Sequence, residues 1–475
     1  MSEENDRQGT RRTDEAGDVT VGSHVAAGAE AVADARRPAV AGDRASRRAA
    51  AVAAVVLGAL LAVVVAVTTP WHPLPGADRG PDPALDFTPA EIARSHAFNA
   101  ALNPPAYAGL IAGIVVVVLL GLTPLGSRLL GAVTGPLRRW PLRLVGAAVV
   151  LAVLTRLAGL PFDVWSETVL RRYGLSTEHW GGWARDQVTS LGVTLVIWII
   201  VVLGLHLLIR RFPRRWWAGA AAGGFVLVAA ASFGYPVLVE PLFNSFHSMP
   251  AGPLRTDLLR LAREDGVPVD DVLVADASKR TTTLNAYVSG FGSTRRIVVY
   301  DTLLDSEPRQ EVELVVAHEL GHAKRGDVLH GTLVGALGVA AGVCVLYLVM
   351  SSPRLLRRAG AESAADPRSV ALLLAGVTVL LQLSAPVENL VSRHIEARAD
   401  MHALDLTRDP ATYVRMQRSL SARNLDELSP DALEYALWNT HPTGPERIAM
   451  GREWARLHHL AVPAPLVAKG HRAPP

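Results

Sequence analysis

The stretch VVAHELGHA at residues 315–323 carries an H-E-x-x-H string inside an apolar pattern that predicts a helix. Positions i and i+4 share a helix face, so His318 and His322 can present two imidazoles to one metal ion. Glu319 lies about 100° further round the helix, beside the metal, where a general base for an activated water belongs. Gly321 adds no side chain to crowd the site. The alternative is a solvated helix that carries two histidines without function.

A catalytic zinc site usually needs a third protein ligand, and the segment EARAD at residues 396–400 offers the best candidate. Glu396 and Asp400 again stand at i and i+4, and Glu396 completes a His-His-Glu set for one Zn²⁺ per chain. Asp400 could accept a hydrogen bond from a ligand's second nitrogen, or share a proton with the substrate. Taken alone, the segment could equally be a surface helix with ordinary ion pairs.

Apolar residues make up 50% of the 475-residue chain, and they concentrate in seven runs. Most of these runs reach the roughly 20 residues that cross a bilayer core. They cover residues 49–69, 106–125, 144–160, 188–209, 216–239, 328–350 and 370–391. The run 144–160 is the weakest, because it is short and contains Arg156, which should face the protein interior or a watery cavity.

The runs divide the chain into four parts. Residues 1–48 are polar and lack aromatic residues, which predicts a disordered tail. Residues 49–239 are predicted to form a membrane domain with five candidate spans. Residues 240–461 are predicted to form a zinc peptidase domain, because they carry the H-E-x-x-H string, and they include the spans 328–350 and 370–391. Residues 462–475 are rich in Pro and Ala and are predicted to be loose.

Composition excludes several functional classes. The single cysteine, Cys344, rules out an internal disulfide framework and a cysteine-based zinc site. The net charge is only +3, and there is no nucleic-acid motif, Gly-rich phosphate loop or G-x-S-x-G elbow. We therefore expect no nucleic-acid partner; the partners expected are a peptide or protein substrate and the lipid bilayer.

Arginines are concentrated at the span ends on one side of the membrane, and this asymmetry predicts the orientation of the chain in the bilayer. They are Arg36, Arg37, Arg44, Arg47, Arg48, Arg128, Arg138, Arg139, Arg143, Arg210, Arg211, Arg214, Arg215, Arg354, Arg357, Arg358 and Arg368. Since basic short loops stay in the cytoplasm, seven spans predict an inside N-terminus, with residues 240–327 and the C-terminus outside.

The block 240–327 is the one sizeable non-membrane segment before the H-E-x-x-H string. Residues 254–264 have helical spacing, and residues 271–274 and 296–300 read as short β-branched strands. Residues 284–288 between them predict a further strand ending in a turn, whose edge could pair with an extended peptide. Ser306 and Pro308 resemble the start of a helix that runs through the motif.

The chain resembles the integral-membrane zinc metallopeptidases called CaaX prenyl proteases of type 1. The segments that carry the resemblance are residues 162–176, 243–246, 277–280, 285–287, 296–304, 318–322, 396–400 and 441–443. It implies a mainly α integral membrane protein of about seven transmembrane helices forming a cage, with a small α+β zincin-like catalytic domain. It also implies a multi-pass protein of the cell membrane, and a site that opens toward the cytosol, contrary to the arginine bias.

The resemblance also implies roles for individual residues. His318, His322 and Glu396 would hold zinc, Glu319 would be the base and Asp400 a candidate proton donor. Asn285, Ala286 and Tyr287 would belong to the strand that pairs with substrate. His441 would stand near the substrate carbonyl, although a His before Pro in a polar loop is by default a surface residue. Arg447 could pair with a site carboxylate or be a surface cation.

These features predict a membrane-embedded, zinc-dependent endopeptidase acting on membrane-associated or C-terminal-tail substrates. The Ala- and Arg-rich composition is typical of a high-GC bacterium, where prenylated substrates are not expected. A broad-specificity quality-control peptidase is therefore one alternative. A non-catalytic membrane scaffold is the other, but an intact Glu319 argues against it, because a site that only binds metal needs no base.

Overall fold

The computed structural model describes the backbone of residues 21–74, 81–290 and 295–467, and their side chains from residue 43 onward. Its first part is helical: α1 (Val21–Thr68), α2 (Pro89–Leu122), α3 (Pro124–Thr134), α4 (Trp140–Tyr173), α5 (Trp180–Arg211) and α6 (Trp216–Leu238). The second part contains β1 (Phe246–Ser248), α7 (Pro253–Glu264), β2 (Asp271–Ala275), β3 (Ala286–Ser289), β4 (Arg296–Tyr300), α8 (Asp301–Ser306), α9 (Arg309–Arg325), α10 (Asp327–Met350), α11 (Pro353–Arg358), α12 (Val370–Thr407), α13 (Pro410–Asn424), α14 (Ala432–Leu437) and α15 (Gly444–Leu457).

Seven helices in the described residues are long and apolar enough to cross a bilayer, as the seven apolar runs predict. They are α1, α2, α4, α5, α6, α10 and α12. The weak run 144–160 is the middle of α4, a helix of 34 residues. Arg156 in this helix forms an ion pair with Asp163, about two turns further along the helix. Its Nη2 also donates to Gln187 of α5 at 2.7 Å. The charge is therefore paired inside the protein, which reduces the cost of placing it at membrane depth.

Six of these helices close a ring. Going round it, α2 contacts α4, α4 contacts α5, α5 contacts α6, α6 contacts α10, α10 contacts α12, and α12 contacts α2. One apolar core lies at the end of the ring where α4 begins and α5 ends. Its buried residues include Leu144, Leu151, Ile209 and Leu372. A second core lies in the peptidase domain at the other end. The ring of six helices agrees with the predicted cage.

The small sheet has the strand order β1-β2-β4-β3. β2 and β4 are parallel, and β3 pairs with β4 in an antiparallel hairpin with Tyr287 opposite Val298. β3 is therefore an edge strand, as predicted for residues 284–288, and it packs against α9. The sheet lies beside the helix that carries the H-E-x-x-H string, which leaves the free edge of β3 facing the site.

Three boundaries differ from the sequence prediction. Residues 1–20 of the predicted disordered tail lie outside the described residues, but α1 is helical from Val21, consistent with the high helix propensity of its alanines. The helix with the motif does not start at Ser306, which ends α8; Pro308 precedes the first turn of α9. An extended Glu307 separates the two helices, with φ −114° and ψ 142°.

The predicted loose C-terminal tail is the third difference, since its first residues are docked. Arg452 forms an ion pair with Asp86 and donates to the carbonyl of Pro463 at 3.0 Å. The amide of Val467 donates to Leu85 at 3.1 Å, and its side chain is buried. Arg452 therefore holds the tail in two ways, because it pairs with Asp86 and donates to backbone carbonyls of the tail. Composition alone does not predict such a contact. Residues 468–475 lie outside the described residues.

A carboxyl pair at the start of α9 predicts a pH-dependent stability. Burial, with a hydrogen bond to Glu307, raises the pKa of Glu311 from 4.5 to about 7. The folded protein thus holds this proton more tightly than the unfolded chain, so the resulting stability is present below about pH 4.5 and is lost as pH rises toward 7. Glu311→Gln should raise the melting temperature in detergent at pH 8 and much less at pH 5. Glu313→Gln, on the outer face of α9, is the control, and an equal shift of Glu311→Gln at both pH values would contradict this.

Candidate metal centre

The helix α9 presents its motif to α12 at close range. Its buried face includes Val312, Val316 and Leu320, and the helix ends where Gly326 takes a left-handed conformation with φ 68°. Gly321 is the point of closest approach: a Cβ there would lie 3.0 Å from the Cβ of His402 on α12. The missing side chain lets the two helices pack closely enough to bring both candidate segments together.

The three predicted ligands converge on one point. The Nε2 atoms of His318 and His322 lie 3.2 Å apart. Glu396 Oε2 lies 3.1 Å from the Nε2 of His318, and Glu396 Oε1 lies 3.5 Å from the Nε2 of His322. For metal bonds of about 2.0–2.1 Å in tetrahedral geometry, donor atoms should be roughly 3.3 Å apart. The triangle therefore fits a metal ion with one open coordination position.

The outer nitrogen of each histidine is held by a carboxylate. His318 Nδ1 lies 3.0 Å from Asp400 Oδ1, and His322 Nδ1 lies 2.9 Å from Asp327 Oδ2. Carboxylates accept hydrogen bonds, so each Nδ1 carries the proton and each Nε2 is free to bind metal. This arrangement supports the first of the two roles considered for Asp400, that of a hydrogen-bond acceptor.

Asp400 is fully buried, and Arg447 donates hydrogen bonds to both of its carboxylate oxygens. The Nη2 and Nε atoms of Arg447 donate to the two carboxylate oxygens at 2.6 and 2.8 Å, and Gln417 donates at 3.3 Å. Arg447 thus pairs with a site carboxylate, the first of its two predicted alternatives. A carboxylate held by a guanidinium in this bidentate way stays ionised, which argues against Asp400 as a proton donor.

Glu319 and His441 face a cavity of about 690 Å³ beside the three ligands. Glu319 is on the same helix as the histidines but lines the open space, as its position round the helix predicts. His441 precedes α15, its Nε2 lies 3.1 Å from Glu396 Oε2, and 53% of its side chain is exposed. The exposure is to the cavity, so His441 is not the ordinary surface histidine that its sequence context suggests.

The electrostatics of the centre favour positive charge on the ligands. Burial lowers the pKa of His318 and His322, but hydrogen bonds to Asp400, Asp327 and Glu396 outweigh it, and the net pKa of His322 rises to about 10. Burial also raises the pKa of Glu319, against the opposing effect of both histidines. Surroundings that stabilise protons on two imidazoles also suit a cation in their place, so metal binding would release protons.

The predicted substrate-pairing residues line the same cavity. Asn285, Ala286 and Tyr287 follow the edge of β3, with Asn285 exposed and Ala286 buried against the sheet. The carbonyl of Asn285 accepts from the amide of Tyr300 at 3.0 Å, which continues the hairpin ladder by one residue. The free edge therefore stays available beside the three ligands.

Sequence reasoning missed Asp327 and Arg398. Asp327 follows Gly326, so the left-handed turn folds its carboxylate back onto His322, and Arg398 of α12 bonds its other oxygen. A Gly-Asp pair directly after the motif's helix was the available signal. His330 of α10 and His394 of α12 are not among the three candidate ligands.

Asp327→Asn should weaken metal binding by about 10- to 100-fold, the usual effect of losing an outer hydrogen-bond partner. The charge that holds the imidazole proton would be removed, while the size of the side chain is kept. Competition with a chelator measures the affinity of purified protein. Asp305→Asn, on the exposed side of α8, should leave it unchanged; an unaltered affinity of Asp327→Asn would remove Asp327 from the centre.

Two family models match adjacent parts of this chain. Residues 248–455 match the model of peptidase family M48, and residues 108–245 match that of the CAAX prenyl protease N-terminal domain with five membrane helices. A Bacillus subtilis protein described as an uncharacterized metalloprotease, YhfN, is 34% identical over 65% of this chain and 72% of its own length. A CAAX prenyl protease 1 homolog of Arabidopsis thaliana is 30% identical over 62% of this chain and 70% of its own length.

The fold has a counterpart among solved structures. The crystal structure of S. mikatae Ste24p superposes with a TM-score of 0.70 at 20% sequence identity, covering 85% of this chain and 98% of that one. At this identity the match concerns the fold, and it agrees with the ring of membrane helices joined to a small sheet-containing domain.

Proposed function

Since the chain belongs to peptidase family M48, as a membrane-embedded metalloprotease of the CAAX-protease type, we propose that its metal is one zinc ion held by His318, His322 and Glu396. The proposed reaction is hydrolysis of peptide bonds in membrane-associated or C-terminal-tail substrates. The observation that carries the proposal is the triangle of ligand atoms, 3.1 to 3.5 Å apart, next to the carboxylate of Glu319 in the cavity.

The donor set supports zinc over harder metals. Two imidazoles and one carboxylate with an open position are a common catalytic zinc arrangement, whereas magnesium and calcium prefer oxygen ligands alone. When bound, the ion would make a water molecule more acidic and polarise a substrate carbonyl. Asp400 and Asp327 would keep both histidines in the tautomer that can bind it.

The chain's own residues would move the proton. Glu319 would accept a proton from the attacking water as the water oxygen bonds to the carbonyl carbon. Glu319 would then return the proton to the leaving amine as the C–N bond breaks. His441, donating from Nε2, would stabilise the negative oxygen that forms on the substrate. Arg447 is a positioning residue, because it acts through Asp400 and His318.

The edge of β3 would bind the substrate as an added strand. Main-chain hydrogen bonds supply affinity in this mode, and pockets for alternate side chains supply specificity. Asn285 would hold the peptide backbone at the end of the strand, while Ala286 and Tyr287 flank the bond to be cleaved. The predicted substrate-binding residues thus act together as one surface.

The experiment that tests the proposed function compares membranes from cells with the wild-type chain and with Glu319→Gln. Mass spectrometry of protein termini should show new ends only where the base is present. Ends confined to short C-terminal segments of membrane-associated proteins would support the proposed substrate class. Ends scattered through many unrelated membrane proteins would support the quality-control alternative, and identical termini in both samples would contradict peptidase activity.

We propose that the protein lies in the cell membrane with residues 240–327 and the C-terminus outside, as the arginine bias predicts. Cys344 would first be replaced by Ser, and single cysteines would then replace Ser23 or Ala473. An impermeant maleimide on intact cells should label the Ala473 position and spare the Ser23 position. The reverse pattern would support the cytosolic site that the family resemblance implies.

A further inference from the structure

One acidic residue of the cavity has no part in the proposed reaction. Glu240 lies just after the end of α6 and lines the same cavity as Glu319 and the metal ligands. Its Oε2 accepts a hydrogen bond from the hydroxyl of Tyr287 at 3.0 Å. Within the described residues its carboxylate forms no ion pair with Lys or Arg, so a carboxylate is presented to the cavity without a cationic partner.

Aromatic side chains surround this carboxylate. Tyr287 and Tyr300 meet edge to face with ring centroids 6.5 Å apart, and Tyr235 and Phe243 line the cavity on the side of α6. Aromatic faces attract cations, and the aliphatic stem of a long basic side chain packs well along them. The carboxylate of Glu240, with these aromatic side chains beside it, is therefore suited to bind a Lys or Arg side chain.

The other charged groups of the cavity do not cancel this preference. Glu396 would be a metal ligand, and Asp327 is already paired with His322 and Arg398. Arg295 is a cation of the same cavity, but it lies at the far end of the hairpin, three residues before Val298, the cross-strand partner of Tyr287. Three residues of strand separate the two positions by about 10 Å.

The position of Tyr287 on the edge strand ties Glu240 to the substrate. A peptide paired with β3 would place every second side chain on the face where Tyr287 and Glu240 meet. We propose that Glu240, with the aromatic residues beside it, forms a specificity subsite for a basic side chain close to the scissile bond. This inference rests on the proposed peptidase function and adds the substrate class to it.

The test uses full-length, zinc-loaded protein in detergent and pairs of fluorogenic peptides that differ only by Lys or norleucine at one position. Scanning the positions on both sides of the cleaved bond should find one where Lys raises kcat/KM by about tenfold, since a hydrogen bond to a charged group is worth that factor or more. Glu240→Gln should bring the ratio at that position close to one. Glu240→Arg should instead favour the peptide with Glu there. Glu264→Gln, an exposed acid of α7, is the matched control and should keep the wild-type ratio.

A binding measurement separates this inference from the proposed function. Labelled Lys and norleucine peptides would be titrated into Glu319→Gln, with and without Glu240→Gln, and followed by fluorescence anisotropy. Tighter binding of the Lys peptide that disappears with Glu240→Gln supports the subsite. Equal affinities, or a Lys preference that survives Glu240→Gln, overturn it. Failure of the wild type to cleave any peptide would contradict the peptidase function, and the binding result would still decide the subsite.

Discussion

Glu319→Gln should retain its metal and lose at least about a hundredfold in hydrolytic rate, since general acid–base catalysis contributes roughly 10²–10⁴-fold. The residue is on the same helix as His318 and His322 but lines the cavity, whereas Asp400 and Asp327 are the carboxylates that hold those two histidines. The amide cannot accept a proton from water, although it fills the same space. Metal content and kcat would be measured on one purified preparation.

Two controls make this result specific. Glu313→Gln lies on the outer face of α9 and forms an ion pair with Arg309, so it should keep both metal and activity. An unchanged melting temperature would show that Glu319→Gln folds normally. Cleavage by this variant at the wild-type rate would mean that Glu319 is not the base.

Glu396→Ala should lose its metal almost completely, whereas Asp400→Asn should keep binding it with an affinity lowered by about 10- to 100-fold. Glu396 contributes an oxygen to the triangle of candidate ligand atoms, whereas Asp400 contacts the outer nitrogen, Nδ1, of His318. Asn is chosen over Ala at position 400 because removing the side chain would leave Arg447 buried without a partner, which costs several kcal/mol.

Metal analysis of both variants after gel filtration measures this difference. Equal and complete metal loss from both would mean that Asp400 is itself a ligand or that the centre collapses without it. Arg447→Lys distinguishes these outcomes, because it keeps the charge and loses the bidentate contact. Metal retention by that variant would show that the centre tolerates a weaker support of Asp400.

Local patterns predicted that His318, His322 and Glu396 come together, because all three lie in two helical segments whose residue spacing is informative. The spacing of His318 and His322, and of Glu396 and Asp400, fixes which side chains share a face, and α9 and α12 then pack together at Gly321. The seven membrane helices were equally predictable, since length and hydropathy alone define a span. Their closure into a ring came from the family resemblance and not from the residues.

Contacts that depend on a chain reversal, or that join segments distant in sequence, were not predictable in this way. Asp327 reaches His322 only because Gly326 reverses the chain, and the docking of residues 463–467 depends on an Arg452–Asp86 pair that joins residues 366 positions apart. The role of Asp400 stayed open for the same reason: its oxygens contact Arg447 and His318, which only the folded chain brings together.

Titration of metal-free protein with zinc tests whether hydrolysis depends on one bound ion. Hydrolysis of one peptide would be followed as zinc is added, with bound zinc measured on the same samples. Activity should rise in proportion to bound zinc and level off at about one ion per chain, as a site of three protein ligands with an open position requires. Full activity without bound metal, or a plateau that needs more than one ion, would contradict this expectation.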